Sequence, residues 1–457
     1  MPASPKSRRS LGFQEDFSSQ ELRQRRAKLI ARIGGGAAGV LAGAPLSGAM
    51  DEFRQYNDFY YLTGLETPHA YLLLDGTSRH STLYLRPGDP RRRRVDGPEL
   101  CLDEAELVSE WTGVERIRPL SELAADLQKF PCVFVPHAPP EARQACRDSL
   151  HESRHAADSD PWSWSASPER QFIEGLRKGN SHAEFHDLSP LLDALRLVKS
   201  PAEVEVMRRA GRMTAEAVTE AMHSTQPGVM EFELTAVADF VFRRNGARGS
   251  AYRAIVAGGP NIYSAHYWRN NCPLEDGDLV LMDYAPDLRG YTSDIGRMWP
   301  VGGTYAPWQR DLYGLVVEYH KTLLAHIRPG VTAVEVMQQA AAKIRPVIEG
   351  MQFSRDAFRR AALDLLEFQG HMSHSVGMAV HDVGDYRDEP LEPGHVFAVD
   401  PQLWVTDERL YVRVEDTVAV TDNGCEVLTA AAPLELDDVE RTMRQPGMLQ
   451  QHPPLGM

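Results

Sequence analysis

Cysteine is scarce in this 457-residue sequence: the five that occur, Cys101, Cys132, Cys146, Cys272 and Cys425, are odd in number, far apart and free of any CxxC spacing. That excludes a disulfide framework, argues against a zinc knuckle and leaves buried or idle thiols. No apolar run approaches the roughly 18 to 20 residues of a membrane-spanning helix, and the opening MPASPKSRRS lacks the apolar segment of a secretory signal. A cytoplasmic protein without a membrane partner is expected. Positive charge is in deficit, with 49 Lys and Arg against 64 Asp and Glu for a net −15. Such a field repels polyanions and disfavours nucleic acid as the main partner. At 42% hydrophobic and 25% charged, the composition excludes wholesale disorder and fibrous classes, and the length suits roughly two to four globular domains.

The first half reads as an α/β module. A polar helical run at 18–33 precedes short strand-like segments at 37–42, 71–74, 82–85 and 132–135. Four arginines at 91–94 sit between Pro90 and Gly97-Pro98, the setting of a solvated loop. Residues 151–170 (HESRHAADSDPWSWSASPER) show little periodicity and read as an exposed connection, with a boundary near 170–195. The expected division is an N-terminal α/β domain over 1–175, a linker over 176–199, a second domain over 200–435 and a mobile tail over 436–457.

The second domain opens on Ser200-Pro201-Ala202-Glu203, a capping box with proline at the first helical position, so a long amphipathic helix should run to about 223. Gln226-Pro227-Gly228-Val229 stops it, and a second helix covers 231–244. The same grammar returns as a helix over 308–327, then Arg328-Pro329-Gly330-Val331, then a helix through 344, with Glu335 in the place of Glu233. Two origins remain open: a duplicated helix–PGV–helix unit, each copy followed by strands, or two unrelated helix pairs with similar turns.

Chemistry concentrates after those helices. Residues 278–284 (DLVLMDY) and 291–299 (YTSDIGRMW) flank a turn-rich PDLRG segment and read as an antiparallel hairpin. A four-residue turn over 287–290 sets Asp283 opposite Asp294, with Cβ atoms roughly 5 Å apart on one face. Residues 396–405 and 410–420, joined by 406–409, repeat the geometry and set Asp400 opposite Glu415, while Arg413 points to the same side. Like charges so placed repel and call for a cation. Between the hairpins lie His371, His374 and His381 among small and apolar neighbours. A lone strand aspartate is usually an edge residue and a lone histidine a packing residue. Two opposed acid pairs beside a histidine-rich segment are harder to read as surface decoration. One imidazole with four carboxylates makes a hard donor set suited to manganese, cobalt or zinc, and large enough for two ions.

These residues resemble the aminopeptidase P and prolidase family, dinuclear metallopeptidases built as an N-terminal creatinase/aminopeptidase-P-like α/β domain and a pseudo-twofold "pita-bread" catalytic domain. The resemblance covers most of the chain. It implies an α/β (α+β) fold, metal ligands Asp283, Asp294, His374, Asp400 and Glu415, and two divalent ions, manganese first. It also implies substrate-side histidines His266 (SAHYWRNN) and His381 (VHDVG), Arg413 beside the last ligand, and Asp400 as proton shuttle. The segment FRQYNDFYYLTGLETPHAYLLLDG at 53–76 tilts the resemblance toward aminopeptidase P. Two departures stand out. The family writes glutamate before Pro-Gly where this chain has Asp400-Pro401-Gln402, and HGxxH where it has Gly370-His371-Met372-Ser373-His374.

The resemblance implies hydrolysis of an N-terminal Xaa-Pro bond in proline-containing peptides by a homo-oligomer, dimer or tetramer. Alternatives at this stage are an Xaa-Pro dipeptidase, with Arg387 as a candidate grip for a free carboxylate, a non-catalytic binding module on the same fold, and a creatinase-like C–N hydrolase.

Overall fold

The computed structural model describes residues 16–46, 48, 52–163 and 167–452. They divide into two compact units, Met1–Arg196 and Leu197–Met457.

In the first unit the helix Ser19–Ile33 starts at Ser18, whose hydroxyl accepts the Glu21 N–H at 3.2 Å, and buries Leu22, Leu29, Ile30 and Ile33. Its sheet comprises β1 (Ala37–Ala42), β2 (Tyr71–Asp75), β3 (His80–Leu85), β4 (Arg116–Pro119), β5 (Cys132–Val135) and β6 (Glu184–Asp187) in the order β4-β3-β2-β1-β5-β6. The β1–β2 and β2–β3 pairs are antiparallel and the other three parallel, making the sheet mixed. Val40, Leu73, Tyr84, Val133 and Val135 pack with Ile173 and Leu176 in its core.

Four segments differ from the structure expected of them. Residues 91–94 belong to a short helix, Pro90–Val95, because Asp89 caps it by accepting the Arg91 and Arg92 N–H groups at 2.8 and 3.3 Å. The stretch 151–170 is mostly helical, in Arg147–Ser159 and Pro168–Gly179. The first of these buries no residue, which erases the apolar periodicity that announces a helix; Arg170–Asp158 and Arg154–Glu169 ion pairs tie the two together. Residues 176–199 are no open linker, since they hold the end of that second helix, the edge strand β6 and the helix Ser189–Arg196. The stretch 436–457 carries the helices Leu436–Thr442 and Met448–Gln451, the latter held where Gln450 Nε2 donates to the Ser224 carbonyl at 3.1 Å; residues 453–457 lie outside the described residues.

The second unit is framed by two helix pairs, α1 (Pro201–Ser224) with α2 (Glu231–Arg244) and α3 (Pro307–His326) with α4 (Ala333–Gly350). Ser200 and Glu203 form the capping box read from sequence, with Ser200 N–H donating to Glu203 Oε2 at 2.9 Å. Glu233 and Glu335 do the same job in α2 and α4, each accepting its N-cap N–H at 2.8 Å. The fourth helix runs past 344 through Pro346 to Gly350.

Its strands among the described residues are β7 (Ile255–Gly258), β8 (Leu279–Asp283), β9 (Ile295–Pro300), β10 (Met372–Ser375), β11 (Val396–Val399), β12 (Gln402–Val405), β13 (Leu410–Arg413), β14 (Glu415–Thr421) and β15 (Gly424–Val427). An antiparallel sheet runs β10-β11-β14-β9-β8-β7, with β15 also on β14, and β12 pairs β13 as a separate ribbon. The expected strand at 396–405 breaks at Asp400-Pro401, where proline has no N–H to continue a ladder. Its register survives the break: Val399 faces Asp416 and Gln402 faces Arg413, which leaves Asp400 across from Glu415. Among the described residues no helix is long and apolar enough to cross a membrane.

Helix α1 lies directly on backbone, since a Cβ at Gly211 would collide with the Leu428 carbonyl. Gly211→Ala, ordinarily favourable in a helix by about 1 kcal/mol, should therefore lower stability by about 1–3 kcal/mol, read as a reduced midpoint in denaturant unfolding.

Candidate metal centre

One row of residues across three strands organises the site. Asp283 on β8 pairs with Gly296 on β9, which pairs in turn with Glu415 on β14. The first hairpin thus differs from the expected register, in which Asp283 faced Asp294. Its turn is the two-residue loop Arg289-Gly290, with φ of 58° and 80°, closed by the Leu288–Tyr291 bridge. The slip is two residues, and strand side chains alternate with period two, so Asp294 keeps the face of Asp283. Both acids meet one phenol: Tyr252 Oη lies 2.7 Å from Asp283 Oδ1 and 2.7 Å from Asp294 Oδ1.

Glycine at 296 is required by what lies above it, for a Cβ there would come within 2.8 Å of Arg413 Nε and 3.0 Å of Glu415 Cβ. Through that gap the Arg413 guanidinium spans the acids. Its Nη2 donates to Asp283 Oδ2 at 2.5 Å and to Glu415 Oε2, and its Nε stands 3.7 Å from Asp400 Oδ1. His374 Nε2 lies 3.4 Å from Asp294 Oδ2 and 3.9 Å from Glu415 Oε1. Donor atoms of Asp294, His374 and Glu415 all fall within 4.8 Å of one another. Asp283 and Asp400 flank this trio through Arg413.

All four acids are buried, at 1–4% exposure. Burial, then the charge of Asp283, pushes the Asp294 carboxyl up to about 8. Burial raises Asp400 as well, and lifts Glu415 well above the usual carboxylate range. Burial opposes the charge on Arg413, yet Asp400, Glu415 and Asp283 together drive its pKa well up. One guanidinium among four buried carboxyl groups leaves the hollow between them short of positive charge. Hard oxygen donors plus one imidazole in such a hollow fit divalent cations.

The remaining expected residues divide. The His381 ring lies 4.0 Å from the His374 ring, tilted by 36°, and His266 lies 6.1 Å from the His381 ring, so both edge the acidic hollow. Partial desolvation lowers the His266 pKa, favouring neutral imidazole. His371 belongs elsewhere: its ring is buried, burial brings its pKa down to about 4, and its Nε2 lies 2.6 Å from the Leu365 carbonyl. Arg387, the alternative carboxylate grip, forms a two-pronged pair with Asp385 in an exposed loop, at 2.9 and 2.7 Å.

Comparison with known proteins fits this geometry. The description "Metallopeptidase family M24" matches residues 205–422, and "Aminopeptidase P, N-terminal domain" matches 22–131. The Xaa-Pro aminopeptidase of Escherichia coli strain K12 is 32% identical over 94% of this chain and 98% of its own length. This chain belongs to the aminopeptidase P family. Among solved structures, aminopeptidase P from E. coli with the inhibitor Pro-Leu superposes with a TM-score of 0.74 at 30% identity, covering 94% of this chain and 98% of that one. Proline aminopeptidase P II from Yersinia pestis gives 0.74 at 32%, covering 94% and 100%. The pita-bread architecture of the family accounts for the antiparallel sheet framed by paired helices.

Several supporting residues escaped the sequence reading. Tyr252 sits in an ordinary loop, and only folding brings its hydroxyl between two acids. Arg297 braces the last acid from behind, donating to the Glu415 carbonyl at 2.7 Å and to Asp416 Oδ1 at 2.8 Å. Lys199 pairs with Asp382 at 3.2 Å beside His381, in space that only a glycine at 377 leaves open. The signal for Arg297 was present, as an arginine inside an apolar strand demands buried partners.

Because the folded carboxyl of Asp294 titrates near 8, well above an unfolded aspartate at about 3.9, the folded state binds extra protons between those values. Metal-free protein should therefore gain thermal stability as pH is lowered from 8.5 toward 5, and lose it as pH rises through 8. Melting curves of chelated protein across that range check the sign. Saturating Mn²⁺ should reverse the trend, since ligation needs the deprotonated acids.

Proposed function

We propose that this protein is a metal-dependent Xaa-Pro aminopeptidase, removing the first residue from peptides whose second residue is proline. The observation that carries this reading is the meeting of Asp283, Asp294, Asp400, Glu415 and His374 in one buried hollow of a chain that is 32% identical to a full-length Xaa-Pro aminopeptidase. Those five side chains would hold two divalent ions, manganese first and zinc or cobalt otherwise. Bound there, the ions supply Lewis acidity and make hydroxide available near neutral pH.

The chain's own groups do the rest. Arg413 keeps Asp283 and Glu415 together and so fixes the separation of the acids from behind. Asp400 Oδ1 is buried with no hydrogen-bond partner among the described residues. It is the oxygen available to take a proton from the nucleophile and return it to the departing proline nitrogen. His381 and His266, at the edge of the hollow, donate to the developing oxyanion and to that nitrogen. Proline suits such a site because its tertiary amide offers no N–H to a strand-gripping peptidase. Pro-Leu, the inhibitor recorded with the E. coli relative, is what remains when the first residue leaves an Xaa-Pro-Leu peptide. The engagement of Arg387 by Asp385 removes the one group advanced for a dipeptidase.

The direct test is release of the first residue from Xaa-Pro-Leu, Xaa-Ala-Leu and Xaa-Pro by chelated and Mn²⁺-loaded protein. Cleavage confined to Xaa-Pro-Leu and dependent on metal is the expected outcome. Equal turnover of the dipeptide, or none with any metal, overturns the reading. Asp400→Asn should lower kcat about 10²–10⁴-fold with a smaller change in KM, as loss of a proton-transfer group does. His266→Ala should cost about 10²-fold in kcat/KM, measured on the same tripeptide.

A further inference from the structure

Gly370-His371 and Asp400-Pro401-Gln402, the two segments that differ from the motifs the resemblance implies, lie far apart in the chain and touch in the fold. Asp400 N–H donates to the His371 carbonyl at 2.7 Å, and Gln402 N–H donates to His371 Nδ1 at 3.3 Å. The other ring nitrogen, Nε2, faces the Leu365 carbonyl at 2.6 Å, so it carries the ring proton and Nδ1 is the acceptor. The Gln402 side chain folds back on the same acid, its Nε2 donating to Asp400 Oδ2 at 2.5 Å. His371 is itself gripped edge-on by Tyr319 and Phe368, with centroids 5.0 and 4.9 Å away. A Cβ at Gly370 would run into the Phe368 ring, so a side chain at 370 and this grip on His371 exclude one another.

We propose that His371 and Gln402 are paired positioning residues, a brace co-adapted with Asp400 that sets where its short carboxylate reaches. This rests on the reading of Asp400 as a metal-site acid. Aspartate falls one carbon–carbon bond short of glutamate, roughly 1.5 Å. The brace answers that deficit in two ways. It pins the backbone on both sides of Pro401 to one buried residue, Asp400 N–H to the His371 carbonyl and Gln402 N–H to its imidazole, and it fixes Oδ2 so that Oδ1 is the oxygen turned toward Arg413 Nε, 3.7 Å away. A glutamate at 400 would drive its carboxylate into the space the Gln402 amide occupies. Conversely, glycine at 402 would leave Oδ2 without its donor. Each change alone disrupts the site, and together they rebuild the family's Glu-Pro-Gly arrangement.

The experiment is a double-mutant cycle on the full chain, with Asp400→Glu, Gln402→Gly and the double variant. It is read by calorimetric Mn²⁺ titration of chelated protein and by kcat and KM on the tripeptide. Each single change should weaken Mn²⁺ binding about 10-fold or more, and the double variant should return to within about threefold of the parent, a strongly non-additive pair. His371→Phe keeps the ring between Tyr319 and Phe368 and removes both ring hydrogen bonds. It should weaken Mn²⁺ binding about 10-fold as well, beyond any shift in the melting of the metal-free protein. Additive losses in the cycle, or a His371→Phe protein that melts earlier yet binds Mn²⁺ as the parent does, overturn the brace alone. A parent protein that takes up no Mn²⁺ overturns the metal-site reading and the brace with it.

Discussion

Four carboxylates buried on one side of a sheet repel each other, and the second unit is arranged around that repulsion. A single guanidinium, Arg413, reaches three of them, and it fits only because Gly296 leaves no side chain between Asp283 and Glu415. Removed from water, such groups hold their protons unless positive charge is brought in, which is why Asp294, Asp400 and Glu415 are all pushed upward. A site of this kind is unstable as a collection of anions and coherent as a cation's cage. Affinity for divalent metal and dependence on pH are two faces of the same electrostatic fact.

The surrounding structure keeps the acids from relaxing apart. Tyr252 ties Asp283 to Asp294, and Thr417 Oγ1 both accepts the Asp294 N–H at 2.5 Å and donates to its carbonyl at 2.8 Å. Behind Glu415, Arg297 and Thr429 converge on Asp416, which also faces the buried His320 at 3.3 Å. Burial lowers the His320 pKa to about 4, so that ring is neutral and leaves Asp416 to Arg297. Apart from Tyr252, these groups touch the backbone of the acids or the neighbouring Asp416 rather than the four carboxylates, yet they decide how far each carboxylate stands from the next.

Local rules carried the sequence reading a long way. Ser200, Glu203, Glu233 and Glu335 mark helix starts because a cap is a contact within four residues, and the structure makes those hydrogen bonds. Asp400 and Glu415 were placed opposite one another because the turn length between their strands was read correctly. The first hairpin went astray over its turn: Arg289 adopts a left-handed conformation unusual for arginine, which shortens the loop to two residues. The face survived because an even slip leaves strand alternation intact. The helix Arg147–Ser159 was missed for the opposite reason, having no buried face to impose a period.

Residue types and their short-range spacing therefore determined which acids and histidines could share a face and where helices begin. What tertiary structure alone decided is partnership over long sequence separations. Tyr252 meets Asp294, Arg413 meets Asp283, and His371 meets Gln402 and packs against Phe368 rather than joining the acid cluster. The physical reason is that caps, turns and strand alternation are set by steric and hydrogen-bonding rules acting over a few residues. Contacts between distant segments depend on how whole strands and helices pack, and on which buried charges that packing forces together.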